Sequence, residues 1–211
     1  MEKQIHEALN WRYAVQTFDQ TKKLSNEQLD AILEAGRLAP SSFGLEAWKF
    51  IVVNDSAVRA KLKDAAYGQS KVTDASHLIV IARRTDVRER IVDERIARTA
   101  RIQGQDEASL AGFRDMLNGT IASRDDAALD TWIRSQTYIP LGVMMTTASL
   151  MHIDNAAMEG FDPSQVDEIL GLREMNLAAT SMLALGYRGA DPVAERPKVR
   201  RAMNEVVQVI G

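Results

Sequence analysis

The chain reads as a layered fold of helices packed on a sheet, either α+β or a mixed-sheet α/β arrangement, and three observations carry that reading. Strand-like apolar runs alternate with capped amphipathic stretches, with two helical stretches between some strands. The run from His77 to Ala82 is unbroken and apolar, as expected of a strand buried on both faces. Residues 126–151 form one long helical stretch, apolar nearly all round, which asks for deep burial or a subunit interface.

Each element has its own local cause. Residues 2–10 are expected to form a short helix. Ser25 and Gln28 stand at capping-box spacing ahead of Leu29, Ile32, Leu33, Ala35 and Ala39, close to a 3.6-residue period, and Pro40 ends that helix. Residues 49–54 read as a strand, after which Asp55 or Ser56 caps a helix reaching about Ala66. The charged stretch at about 86–122 reads as a helical excursion from an otherwise single domain over 1–211, or simply as a pair of solvated surface helices. Pro140 is expected to kink the long apolar helix. A short strand near Ile153 to Met158 follows, then a helix start at Asp162-Pro163 and a third long strand from Asn176 to Tyr187. The tail Glu205 to Ile210 is β-prone and apolar, and wants a sheet edge in its own subunit or a partner's.

Composition narrows the chemistry. The chain has 211 residues, 45% hydrophobic and 26% charged, ordinary values for a globular protein. It has no cysteine, which excludes thiolate metal sites, Cys nucleophiles and disulfides, and its histidines, His6, His77 and His152, are too far apart for a close-spaced metal motif. Net charge is −3, so nucleic acid is not an expected partner, and any anionic ligand needs a local cluster of cations. No apolar run is long enough to cross a membrane, and the charged start suggests a cytoplasmic protein. Redox chemistry in such a chain has to come from a cofactor.

Four clusters could hold one. Arg12 to Asp19 follows a helix with an Arg, polar residues and an aromatic. Ala39-Pro40-Ser41-Ser42, leading to Trp48, offers two hydroxyls after a helix stop. Met158 to Asp162 places Gly160 where backbone N–H groups can approach a flat ligand. Arg196 to Arg201 concentrates cations in an acidic chain, and Arg and Lys together suit phosphate. Taken singly, each has an ordinary reading as loop, turn or solvated charge run. Neither a GxGxxG nor a Walker A sequence is present, so a phosphate ligand would be held outside those two architectures.

In order along the chain, Arg12–Asp19, Ala39-Pro40-Ser41-Ser42 with Trp48-Lys49-Phe50, Asp74-Ala75-Ser76-His77, Glu159-Gly160-Phe161-Asp162 and Pro197-Lys198-Val199-Arg200 together resemble the nitroreductase family of FMN-dependent oxidoreductases. The resemblance implies an α+β fold with a mixed, mainly antiparallel central sheet flanked by helices, in an intertwined homodimer. FMN would lie at the interface, the long apolar helix would form that interface, and the C-terminal segment would extend the partner's sheet. It further implies that Arg12, Lys198 and Arg200 hold the FMN phosphate, with Tyr13 and Ala14 in the same motif. Gln16 would lie near the pyrimidine carbonyls, and Lys71 with Gln69 near the ring or ribityl chain. The backbone of Glu159 and Gly160 would face the isoalloxazine. Ser41, Ser42 and Gly44 would face the other subunit's flavin, and Phe113 would form a mobile wall over the substrate. NADH or NADPH would be the donor and a small electron-poor molecule, a nitroaromatic or quinone, the acceptor, with no catalytic side chain and no metal. Ala14 stands where the family often has Ser, Tyr13 where it often has His or Arg, and Gly44, Glu46 and Ala47 where an amide and Gln-Pro are common. Those departures leave room for a non-nitro substrate, a reaction on flavin itself, or a non-enzymatic dimeric binding module.

Overall fold

A computed structural model describes all 211 residues. Helix α1 spans Glu2–Trp11 and α2 spans Asn26–Arg37. The Ser25 hydroxyl accepts from the Gln28 N–H, and the Gln28 side chain accepts from the Ser25 N–H, so the expected capping box closes. Strand β1 (Trp48–Val53) leads into α3 (Ser56–Ala65), whose cap is Asp55, accepting from the Val58 N–H at 2.8 Å. A single turn, α4 (Lys71–Asp74), precedes β2 (His77–Arg84). The excursion comprises a π turn at Val87–Ile91, α5 (Val92–Gln103), a 3-10 turn at Glu107–Leu110 and α6 (Ala111–Ala122). Then come α7 (Asp126–Leu150), β3 (Asp154–Met158), α8 (Pro163–Leu170), β4 (Leu177–Gly186) and a last turn, α9 (Met203–Val206).

The sheet runs β1-β2-β4-β3 and is antiparallel at every junction. Its one parallel pairing is an isolated bridge from Ala14 to Asn155, so the mixed character expected of the sheet is absent from its four strands. The two central strands are covered on both faces. On one, Ile79, Ile81, Leu183 and Leu185 pack with Ile32 of α2 and Met144 of α7. On the other, Leu78, Val80, Met182 and Ala184 pack with Leu62 of α3 and Val166 of α8. That explains why β2 reads as a continuous apolar run although its neighbours are antiparallel. Between Ile81 and Ala82 the register slips, leaving Thr180 of β4 as an extra residue, a bulge.

Helix α7 buries one stripe, Leu129, Ile133, Thr137, Leu141, Met144 and Ala148, at three- and four-residue spacing. Its other side is less covered than its composition suggested: Ile139 and Leu150 are 37% and 45% exposed. The helix runs unbroken through Pro140. The excursion has its own core, in which Ile91, Ile96, Leu117 and Ile121 close on Leu45 and Ala47 and on Leu129 and Ile133 of α7. It is therefore a packed subunit of structure, more than a pair of solvated helices.

Of the two places expected for the C-terminal tail, a sheet edge of its own subunit is not one it takes. Residues 203–206 form a helical turn, and 207–211 join no strand of their own sheet. Val209 and Ile210 are 87% and 88% exposed. The tail leaves the β3 side of the molecule at Arg188, where Arg188 bridges Phe18, and is then held beside α1. The β3 edge is already occupied there by the Ala14 bridge.

Candidate functional site

The end of α1 and the segment after β4 build one cleft of about 390 Å³. Arg12, Arg196, Lys198 and Arg200 line it together with Trp11 and Tyr13. Burial, with repulsion from Arg200, lowers the Arg12 pKa; burial, with Arg12 and Arg200, lowers that of Lys198. Such a cluster is destabilised by its own charge and relieved by an anion. Lys198 donates to the carbonyls of Leu9 and Arg12, tying the two segments together across most of the chain length.

The segment is set by a second network. Arg188 lies over the rings of Trp11 and Tyr13, at 4.3 and 4.6 Å, while its backbone N–H and Nε each donate to the carboxylate of buried Asp154 at 2.8 Å. Asp191 accepts from the backbone N–H groups of Gln16 (2.7 Å), Thr17 (3.2 Å) and Val193 (3.0 Å). Burial alone would raise its pKa, but these donors outweigh it and hold the carboxyl below its ordinary value. Burial, and the Asp191 carboxylate beside it, push the Tyr13 phenol up to about 12. The Tyr13 hydroxyl is buried outside good hydrogen-bond geometry to any group.

Along the same sheet edge lie the other expected contacts. Lys71 Nζ donates to Gln16 Oε1 at 3.1 Å, and burial lowers the Lys71 pKa while Asp191 opposes the shift. Gln69 Nε2 donates to the Gly160 carbonyl at 2.7 Å. Residues Glu159 and Gly160 are exposed just past β3, and their N–H groups donate to nothing in the chain. Arg59, buried, orders this segment from beneath: it donates to the carbonyls of Val72, Ala75 and Ser76. Tyr67, 73% exposed and at φ 56°, stands two residues before Gln69.

Ser41, Ser42 and Gly44 are elsewhere. Their loop enters β1, the opposite edge strand, and three strand spacings of roughly 4.8 Å put the two edges roughly 14 Å apart. Ser41 Oγ accepts from the Glu46 N–H at 2.9 Å, and the Ser42 N–H donates to Gln136 of α7 at 2.8 Å. Phe43, Gly44 and Glu46 all have left-handed backbones, with φ of 55°, 65° and 52°. Phe113 is partly buried against the excursion's core, the same cluster that takes in Leu45 and Ala47 between the serine loop and β1.

The structure thus brings Arg12, Tyr13, Ala14, Gln16, Gln69, Lys71, Glu159, Gly160, Lys198 and Arg200 to one side of one chain. It keeps the serine loop and Phe113 on the other. Arg196 belongs to the cation run read from the sequence, whereas Arg188 and Asp191 carried no such signal. The Gly189-Ala190-Asp191-Pro192 turn was the only signal for Asp191. No group of His, Asp and Glu residues could hold a metal ion, and no helix is long and apolar enough to cross a membrane.

Comparison with known proteins gives the family of the chain. A chain from Staphylococcus aureus, provisionally named an NAD(P)H nitroreductase, is 38% identical over 219 aligned positions, covering 100% of this chain and 97% of its own. Among solved structures, a Bacillus subtilis chain provisionally named the nitroreductase ydfN superposes with a TM-score of 0.88 at 21% identity, over 100% of both chains. An Exiguobacterium sibiricum chain, provisionally named a nitroreductase and solved with FMN, gives 0.81 at 22%, over 98% of this chain and 97% of its own. The nitroreductase family profile matches residues 9–187, and the chain belongs to that family.

Proposed function

We propose that this chain is an FMN-dependent NAD(P)H oxidoreductase that works as a homodimer and reduces a small electron-poor acceptor, a nitroaromatic or a quinone, by a ping-pong route. The observation that carries the proposal is the convergence of Arg12, Arg196, Lys198 and Arg200 on one cleft, with the unpaired N–H groups of Glu159 and Gly160 on the same sheet edge. The cleft suits a phosphate dianion, and the N–H pair suits the edge of a flat heterocycle. Arg12, Lys198 and Arg200 would hold the phosphate. Gln16, Lys71 and Gln69 would orient the ring and place positive charge at one edge of it, where negative charge collects on reduction. Bound FMN would supply two-electron redox chemistry between NAD(P)H and the acceptor. No protein nucleophile or metal is required.

Three features support the dimer. The serine loop lies on the edge away from the phosphate cleft, where it is free to face the cleft of a second copy. The outer side of α7 exposes Ile139 and Leu150. A groove of about 730 Å³, lined by Leu33, Trp48, Phe50 and Val52 with charged groups at its rim, runs beside β1, an edge strand, and the exposed apolar tail of a second copy is suited to it. Phe113 would then border the substrate as part of the excursion. The cytoplasm is the compartment proposed.

The test is the visible spectrum of purified, dialysed protein before and after anaerobic NADPH or NADH. A flavin spectrum that bleaches is expected, and the Lys198→Ala/Arg200→Ala variant should lose the colour. A colourless protein that takes up no added FMN overturns the proposal.

A further inference from the structure

A cation without a counterion packs against the loop that turns into β1. Arg84 at the end of β2 and Arg88, Arg90, Arg98 and Arg114 of the excursion each hold a carboxylate. Arg95 of α5 holds none, and its Nε is buried without a partner. Arg101, the remaining arginine of that helix, is simply exposed to water. Buried N–H groups are nearly always paired, so one left open beside a candidate site calls for a ligand.

Its placement is specific. A Cβ on Gly44 would lie 2.8 Å from Arg95 Nη2 and 2.9 Å from its Cζ, so the guanidinium fills the space a side chain at 44 would take. Gly44 also has φ of 65°, a conformation other residues rarely adopt. The neighbouring Arg98 is already satisfied: it pairs with Glu46 at 3.2 Å and donates to the Gly44 carbonyl at 3.3 Å. Arg95 is the arginine that packs against Gly44 with no carboxylate partner. Beside it Phe43 exposes 39% of its surface and meets Trp132 edge-on at 6.4 Å. Trp132 itself lies under Arg124, at 4.3 Å. An aromatic wall and an unpaired guanidinium thus meet at a loop whose Phe43 and Glu46 hold left-handed backbones, the kind of strain that is kept where a site needs it.

We propose that Arg95 is a specificity-determining residue that recognises an anionic group on the planar redox ligand approaching this loop. The inference rests on the reading above, in which Ser41, Ser42 and Gly44 face a flavin. The anion has two possible sources, a carboxylate on an aromatic acceptor or the 2′-phosphate of NADPH, and both would be held by the same fork of N–H donors.

The experiment uses the flavin-loaded dimer of the wild type, Arg95→Gln and Arg95→Lys. Each is titrated without reductant with 4-nitrobenzoate and with uncharged 4-nitrobenzamide, following the flavin absorbance, and KM is measured for NADPH and NADH. Flavin content and thermal midpoint check that the variants fold. If the acceptor carries the anion, Arg95→Gln weakens nitrobenzoate by about tenfold relative to the amide, and Arg95→Lys, a point charge in place of the fork, retains only part of the preference. If the donor carries it, the NADPH KM rises by a similar factor in Arg95→Gln while that for NADH holds. Equal effects on charged and uncharged ligands, or none, in flavin-loaded variants overturn this inference alone. A wild-type chain that takes up no FMN overturns it together with the proposed function.

Discussion

Asp191 is 8% exposed and spends both carboxylate oxygens on three backbone N–H groups. It fastens the chain after β4 to the Arg12 segment, and that brings cations from the two ends of the sequence into one cleft. An Asn there keeps one acceptor oxygen, so at least one charge-assisted bond is lost, at about 1.5–3 kcal/mol. The sign with pH follows from the direction of the shift. Its folded-state pKa lies below the ordinary 3.8, so its stabilisation is complete above that value and disappears as pH falls through the folded value. Asp191→Asn should therefore be less stable than wild type in urea at pH 7, with the gap closing below about pH 4. A gap that stays constant down to pH 3 would show that the carboxylate contributes nothing. FMN affinity should fall with the same substitution, because Gln16 loses its backbone anchor.

Among the elements, the excursion and the sheet have separate cores. Ile96 is fully buried in the first, and Ile32 in the cluster between α2, α7 and the sheet. Truncating either to Ala should cost about 2–5 kcal/mol locally. Hydrogen exchange distinguishes them. Ile96→Ala should speed exchange within 87–122 and leave β2 and β4 protected, whereas Ile32→Ala should lower protection throughout the sheet. Uniform loss in both variants would mean that the excursion and sheet unfold as one unit. The distinction bears on function, since the excursion carries Arg95 and Phe113 and buttresses the serine loop through Leu45 and Ala47.

At the scale of the molecule, the two halves of the site sit on opposite sheet edges of one chain. The proposed flavin site is complete only between two copies, so association and cofactor binding should be coupled. Ile139, 37% exposed on the outer side of α7, tests this. Ile139→Glu puts a charge into the proposed interface, where desolvation is costly. Sedimentation should shift from the mass of two chains toward that of one, and flavin occupancy should fall in parallel. A variant that stays dimeric with full flavin would place the interface elsewhere.

Much of this was legible one segment at a time, because the causes are local. The Ser25 capping box, Pro163 behind Asp162, and the apolar runs of β2 and β4 specify their elements through side chains a few residues apart. Arg12 and the cations of the Arg196–Arg201 run were visible in the sequence itself. Long-range packing supplied the rest. Nothing near residue 77 in the sequence says that β2 lies between two antiparallel neighbours; that depends on helices covering both its faces. The outer side of α7 reads the same as its buried stripe, since apolar residues occur all round, and only the placement of α2 and the sheet separates them. The tail was expected in a sheet because Val206 to Ile210 favour strand, yet propensity cannot act without an edge to pair with, and within one chain the tail finds none. Asp191 and Arg95 escaped for a related reason. Their meaning lies in which backbone or loop they meet, across 175 residues in one case and at the back of a glycine in the other, and that is a property of the folded chain.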